Sequence, residues 1–158
     1  MKNLLVIFII ISVLISACKT SKKVAAATPI DLIQLNNYFP KIELPLAEAF
    51  SHFVISDSTA FSNQFGVAKT MTNTIEPLNF GTKIIVAIQG TPTTQKTTIQ
   101  FNNAELVGKD LNVYYTTTTG ETLTYTMTPA AIATIPKGYA IDNVNFYRNK
   151  AKVFTIPL

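Results

Sequence analysis

The chain has 158 residues, with 13 Lys and Arg, nine Asp and Glu, one His, one Cys and no Trp. A net charge of +4 is mild, and no basic cluster alternates with stacking aromatics, so nucleic acid is excluded as a partner class. One Cys excludes an internal disulfide and a Cys-based metal site. Many Thr, Val, Ile, Phe and Tyr with few charges favour strands and argue against disorder.

The N-terminus reads as three blocks. Met1-Lys2-Asn3 is short and positive, residues 4–14 are almost wholly apolar, and Ile15-Ser16-Ala17 narrows to small residues. That order is a secretory signal. The apolar run falls short of the ~20 residues that span a bilayer. Ile15-Ser16-Ala17-Cys18 resembles the lipobox of bacterial lipoproteins. The resemblance implies that residues 1–17 are removed as a signal peptide and that the Cys18 thiol carries lipid. Attachment by two or three chains exceeds the marginal hold of one, at about 0.8 kcal/mol per buried CH₂. An acylated Cys18 leaves no thiol for catalysis.

Residues 18–28 then form a lipidated tether, and residues 29–158 a single β-rich domain. Lys19, Lys22 and Lys23 either lie near anionic headgroups, at about 1 kcal/mol each, or belong to a solvated linker. Lipoproteins exported to the cell surface carry acidic residues just after the cysteine, and inner-membrane retention goes with an Asp there. This chain has neither. By that resemblance it is expected in the cell envelope, lipid-anchored at the periplasmic face of the outer membrane.

Thr28-Pro29-Ile30-Asp31 predicts a helix start, with Thr as N-cap and Pro at the first position, and with Leu32, Ile33 and Leu35 on one face. Residues 52–55 predict a strand. Asp57-Ser58 offers an N-cap for a short helix whose Phe61 and Phe65 both turn inward, with Gly66 as its stop. Residues 70–77 read as a polar loop. Residues 83–88 are continuously apolar after Lys83, which predicts a central strand buried on both faces. Gly90-Thr91-Pro92-Thr93-Thr94 reads as a turn, and residues 97–101 as a strand. Residues 111–117 and 123–127 flank Thr118-Thr119-Gly120-Glu121 as a predicted hairpin. Residues 130–135 give a further strand, closed by Pro136-Lys137-Gly138. Residues 144–147 and 152–156 flank Arg148-Asn149-Lys150-Ala151 as a last hairpin. The expected fold is mainly β, an antiparallel sheet or small β-sandwich with one or two short helices.

Chemistry-bearing sets are sparse. His52 has no sequence-near partner and reads as structural, and zinc sites use several His or Cys. Asp31, Glu43, Glu48, Asp57, Glu76, Glu105, Asp110, Glu121 and Asp142 are scattered through loops and turns. No Gly-rich phosphate loop, nucleophile elbow or calcium loop occurs. The expectation is no catalytic residue, no metal and no cofactor. Arg148, Lys150 and Lys152 form a small basic patch, read as a solvated hairpin with a lysine-protected edge or as a contact for an anionic partner.

Three stretches taken together carry a resemblance. They are Phe53-Val54-Ile55 with Phe61, Phe65 and Gly66; Pro77-Leu78-Asn79-Phe80 leading into Ile84-Ile85-Val86-Ala87-Ile88; and Gly90-Thr91-Pro92-Thr93-Thr94 with Ile135-Pro136-Lys137-Gly138. Their order resembles the C-terminal domain of protease-complex accessory subunits (PrcB-like), over residues 50–158. The stretch from Asn37 through Ile88 is also similar to small lipoproteins of Bacteroides-type bacteria. The PrcB-like resemblance implies a non-catalytic accessory or protein-interaction module with an envelope protein or protease as partner. Thr91, Pro92, Thr93 and Thr94 are the candidate partner-binding loop. This segment also faintly resembles the Asn-Pro-Thr-Thr-Gly-Tyr loop of chagasin-like cysteine-protease inhibitors, which makes peptidase inhibition the first alternative, with an enzyme acting on envelope polymers as the second. Thr94-Gln95-Lys96 departs from both loops, because the Gly-Tyr is missing.

Overall fold

The computed structural model describes residues 25–41, 49–68, 75 and 77–158. Its centre is β6 (Lys83–Gly90), the apolar run of the sequence. Side chains alternate along a strand, so a run without polar gaps needs apolar cover on both sides. Ile84, Val86 and Ile88 face an inner core, and Ile85 and Ala87 face a second, outer core. β6 pairs antiparallel with β4 (Phe50–Ile55) on one side and β9 (Ala130–Pro136) on the other. β2 (Ile33–Leu35) joins β9 and completes a four-stranded sheet.

The second sheet has five strands, in the order β1 (Ala27–Ile30), β7 (Thr93–Val107), β8 (Asp110–Met127), β10 (Asn143–Arg148) and β11 (Ala151–Pro157). All neighbours are antiparallel except β8 and β10, which run parallel. Leu111, Val113, Tyr115, Val144 and Phe146 of this sheet meet Ile84, Val86, Ala131, Ala133 and Ile135 of the first across the inner core. The architecture is therefore a β-sandwich-like pair of sheets. The outer core is roofed by α1 (Ser58–Gln64) and by a ribbon of β3 (Tyr38–Pro40) and β5 (Phe65–Val67). Asp57 caps α1, its Oδ1 accepting from the Ala60 N–H at 2.8 Å. Phe61 and Phe65 are both buried, with centroids 5.4 Å apart.

Several expectations change. The predicted helix from Thr28 does not form. Residues 27–30 and 33–35 are two short strands, one in each sheet, and the chain crosses between the sheets at Asp31-Leu32. Pro29 is tolerated because β1 is an edge strand, where one side needs no ladder donor. Ala27 and Thr28, assigned to the tether, already pair with Val107 and Leu106. Gly66 does not stop α1. The cap is Phe65 in extended backbone, and Gly66 lies in β5, where an added Cβ would stand 2.5 Å from the Phe39 ring. The hairpin at residues 118–121 is also absent. β8 runs unbroken through it, and Gly120 has no positive φ. The reversal sits at Gly108-Lys109, where Gly108 takes φ +65°, as glycine does at the first centre of a II′ turn.

The last hairpin stands where it was read, with Asn149 and Lys150 as its two central residues at φ 51° and 73°. That pair of values belongs to a type I′ turn, which favours Asn-Gly. Asn tolerates the left-handed region, whereas Lys pays roughly 1–2 kcal/mol for it. Lys150→Gly is therefore predicted to raise stability by about 1 kcal/mol. Phe65→Ala, which empties the outer core, is predicted to lower it by about 3–5 kcal/mol. Urea unfolding checks both, and a destabilised Lys150→Gly would contradict the turn assignment.

Candidate functional site

Among the described residues β4 and β11 are edge strands, and they face each other where the two sheets meet. His52 fills this seam. Its ring stacks on Phe154 at 5.1 Å and 12°, and tilts against Phe146 at 4.8 Å. Its Nε2 shares a 2.9 Å hydrogen bond with the Tyr115 hydroxyl. Nδ1 is buried with no hydrogen-bond partner among the described residues. Beside the pair lies a cavity of about 360 Å³, lined by Ala49, Phe50, Arg148 and Val153 as well. The Arg148 guanidinium sits 5.1 Å from the Phe50 ring centroid.

Burial, aided by the Arg148 charge, pushes the His52 pKa down to about 4. Burial also pushes Tyr115 up to about 12, against a smaller opposing effect of Arg148. Acid–base work near neutrality needs a pKa close to the working pH. Both groups are moved away from it, His52 toward the neutral imidazole and Tyr115 toward the neutral phenol at pH 7.

A second surface lies over the outer core. Tyr38, Phe61, Val67, Leu78 and Phe80 line an open groove of about 500 Å³. An adjoining groove of about 560 Å³ shares Tyr38 and Leu78 and is rimmed by Ile33. Val67 and Ile33 are 49% and 55% exposed, far more than isolated core residues would be.

A third lies on the outer face of the five-stranded sheet. Parallel register sets Tyr147 beside Tyr114, and their rings stack at 4.8 Å and 26°. The Tyr114 hydroxyl donates to Glu105 Oε1 at 2.6 Å. That bond is the main cause that pushes Tyr114 up to about 12. Asn102, Asn103, Tyr115, Thr116, Asn149 and Lys150 complete a cleft of about 570 Å³. Glu105, which the sequence offers only as one of its scattered acids, stands in β7, and nothing local in the sequence singles out Tyr114 and Tyr147. Only the β8–β10 register brings the two Tyr together.

The residues singled out from sequence are dispersed. Cys18 lies outside the described residues. Thr91 and Pro92 alone connect β6 to β7, since Thr93 and Thr94 are already in β7. The connection is tied down by Gly90 N–H to the Pro129 carbonyl at 2.7 Å and Thr91 N–H to the Ala49 carbonyl at 3.3 Å. It is shorter than the five-residue turn expected. The basic trio separates, with Arg148 at the seam, Lys150 at the cleft and Lys152 exposed on edge strand β11. Asp57 caps α1, Asp110 accepts from Asn143 Nδ2 at 2.9 Å, Asp142 meets Lys109 at 3.2 Å and Glu121 meets Lys96 at 3.6 Å. Glu43, Glu48 and Glu76 lie outside the described residues. Among the described residues, no three His, Cys, Asp or Glu side chains gather as metal ligands. Compared with family models, curated proteins and solved structures, the chain matches none.

The seam predicts a pH response. Between about pH 6.5 and about pH 4 the unfolded chain binds a proton at His52 that the folded chain refuses. Stability therefore rises with pH across this window and is lost as pH falls through it, by on the order of 2 kcal/mol. His52→Phe should remove this component, so that wild type minus variant changes between pH 7 and pH 4.5. Parallel urea curves at both pH values for the two proteins would contradict it.

Proposed function

We propose that the chain is a lipid-anchored, non-catalytic module of the cell envelope that holds a protein partner, as an accessory to an envelope protease or similar complex. The observation that carries this is the ring-lined groove over the outer core, with Val67 exposed in it and Ile33 exposed in the groove that adjoins it. An apolar concavity lined by aromatic rings is the kind of surface that receives a partner's apolar side chain. A partner's apolar side chain set among Tyr38, Phe61 and Phe80 would bury area at about 25 cal/mol per Å². The lipid on Cys18 would add local concentration, because partners confined to one surface meet more often.

The test uses the full chain in cells, with a photo-crosslinking residue in place of Ile33. One defined envelope protein should be captured, and Val67→Asp should abolish the adduct without changing the chain's amount or membrane fraction. Cys18→Ser should move the chain out of the membrane fraction. Identical capture from Tyr125, on the far β7–β8 ribbon, would count against the groove. Turnover of a substrate by the purified chain would count against the non-catalytic reading.

A further inference from the structure

We propose that the cleft over Tyr114 binds a saccharide, with one sugar ring against the phenol and its hydroxyls held by Glu105, Asn102, Asn103 and Lys150. This site lies on the opposite sheet from the groove and stands independently of it.

The lining has the chemistry a sugar needs. Each sugar hydroxyl both donates and accepts, so a matching site interleaves donors with acceptors. Glu105 supplies a carboxylate already oriented by the 2.6 Å bond from Tyr114, with further lone pairs free to accept. Thr116 Oγ1 donates to Asn102 Oδ1 at 3.3 Å, which fixes that amide and leaves its NH₂ as a donor. Asn103 adds an exposed amide and Lys150 an ammonium. The apolar face of a pyranose packs on an aromatic ring, and Tyr114 is held for it by Tyr147 from the β10 side. An anion would meet Glu105, a cation would meet Lys150, and a lipid chain would find amides. A volume of about 570 Å³ falls within the range of small-ligand pockets.

The backbone is also spent on this place. The β7–β8 register shifts between Phe101 and Asn103, and the β10–β11 register shifts between Phe146 and Tyr147. Bulges of this kind re-aim side chains, here Asn102 and Asn103 in the cleft and Tyr147 behind Tyr114. Lys150 holds φ 73° in a turn that glycine would fill without strain. Strain retained at a position whose side chain lines a cleft is the signature of a residue kept for binding.

Calorimetric titration of the full chain in detergent with chitotriose, maltotriose, cellotriose and mannotriose tests this, with the zwitterion glycylglycine as comparison. At least one trisaccharide should bind saturably. Glu105→Gln and Tyr114→Ala should each weaken it ~10-fold or more. Lys150→Gly should raise Tm by a few degrees yet weaken the same sugar severalfold, a split that a purely structural role would not give. If Tyr114→Ala loses its β circular-dichroism signal, the other two variants carry the test. No saturable heat with any trisaccharide from a folded chain overturns the proposal. Equal binding by Glu105→Gln, or saturation by glycylglycine alone, does so as well.

Discussion

Everything else in this fold hangs on β6 being buried on both faces. A strand of Ile84, Ile85, Val86, Ala87 and Ile88 exposes no polar side chain with which to face water. One side is met by the five-stranded sheet and the other by α1, the β3–β5 ribbon and Leu78 with Phe80. The two cores thus share a single wall, and neither can be removed without exposing half of β6. β9 obeys the same constraint with Ala131, Ala133 and Ile135 inward and Ile132 outward. Buried Gln89 and Thr134 are the polar exceptions of that wall, and Gln64 of α1 donates to Gln89 at 2.9 Å.

The outer face of the five-stranded sheet is polar, with Asn112 and Asn145 buried upon it. There the parallel β8–β10 register places like beside like. Asn145 Nδ2 donates to Asn112 Oδ1 at 3.1 Å, and Thr155 Oγ1 donates to Asn145 Oδ1 at 2.9 Å. The Tyr114–Tyr147 stack continues this ladder toward the cleft. The molecule therefore offers an apolar surface over one sheet and a hydrogen-bonding surface over the other. Those two surfaces carry the proposed protein contact and the proposed saccharide contact respectively.

The sequence was most informative where hydrophobic pattern and turn chemistry agreed. β6, the Asp57 cap with Phe61 and Phe65, and the hairpin at Asn149-Lys150 were all legible for that reason. It misled where local propensity opposed tertiary context. Thr28-Pro29 carries a helix-start pattern, yet Ile30 and Leu32 bury more as a strand crossing between sheets. Gly120 resembled a turn, but threonines on both sides of it favour extended backbone, and Gly108 supplied the reversal instead. The grooves and the cleft were not legible at all. Their residues come from elements far apart in sequence, joined by registers that no single stretch encodes. The seam needed the same long-range information, since His52 and Tyr115 lie 63 positions apart.

Native-state hydrogen exchange tests the shared wall most directly. If β6 holds both cores together, the amides of Ile85, Val86 and Ala87 should open only with global unfolding, and should be the slowest in the chain. The exposed end of the β7–β8 ribbon, around Thr97 and Thr119, should exchange by local opening and much faster. Exchange of the β6 amides as fast as that ribbon, or loss of the outer core while β6 stays protected at the global limit, would contradict the account.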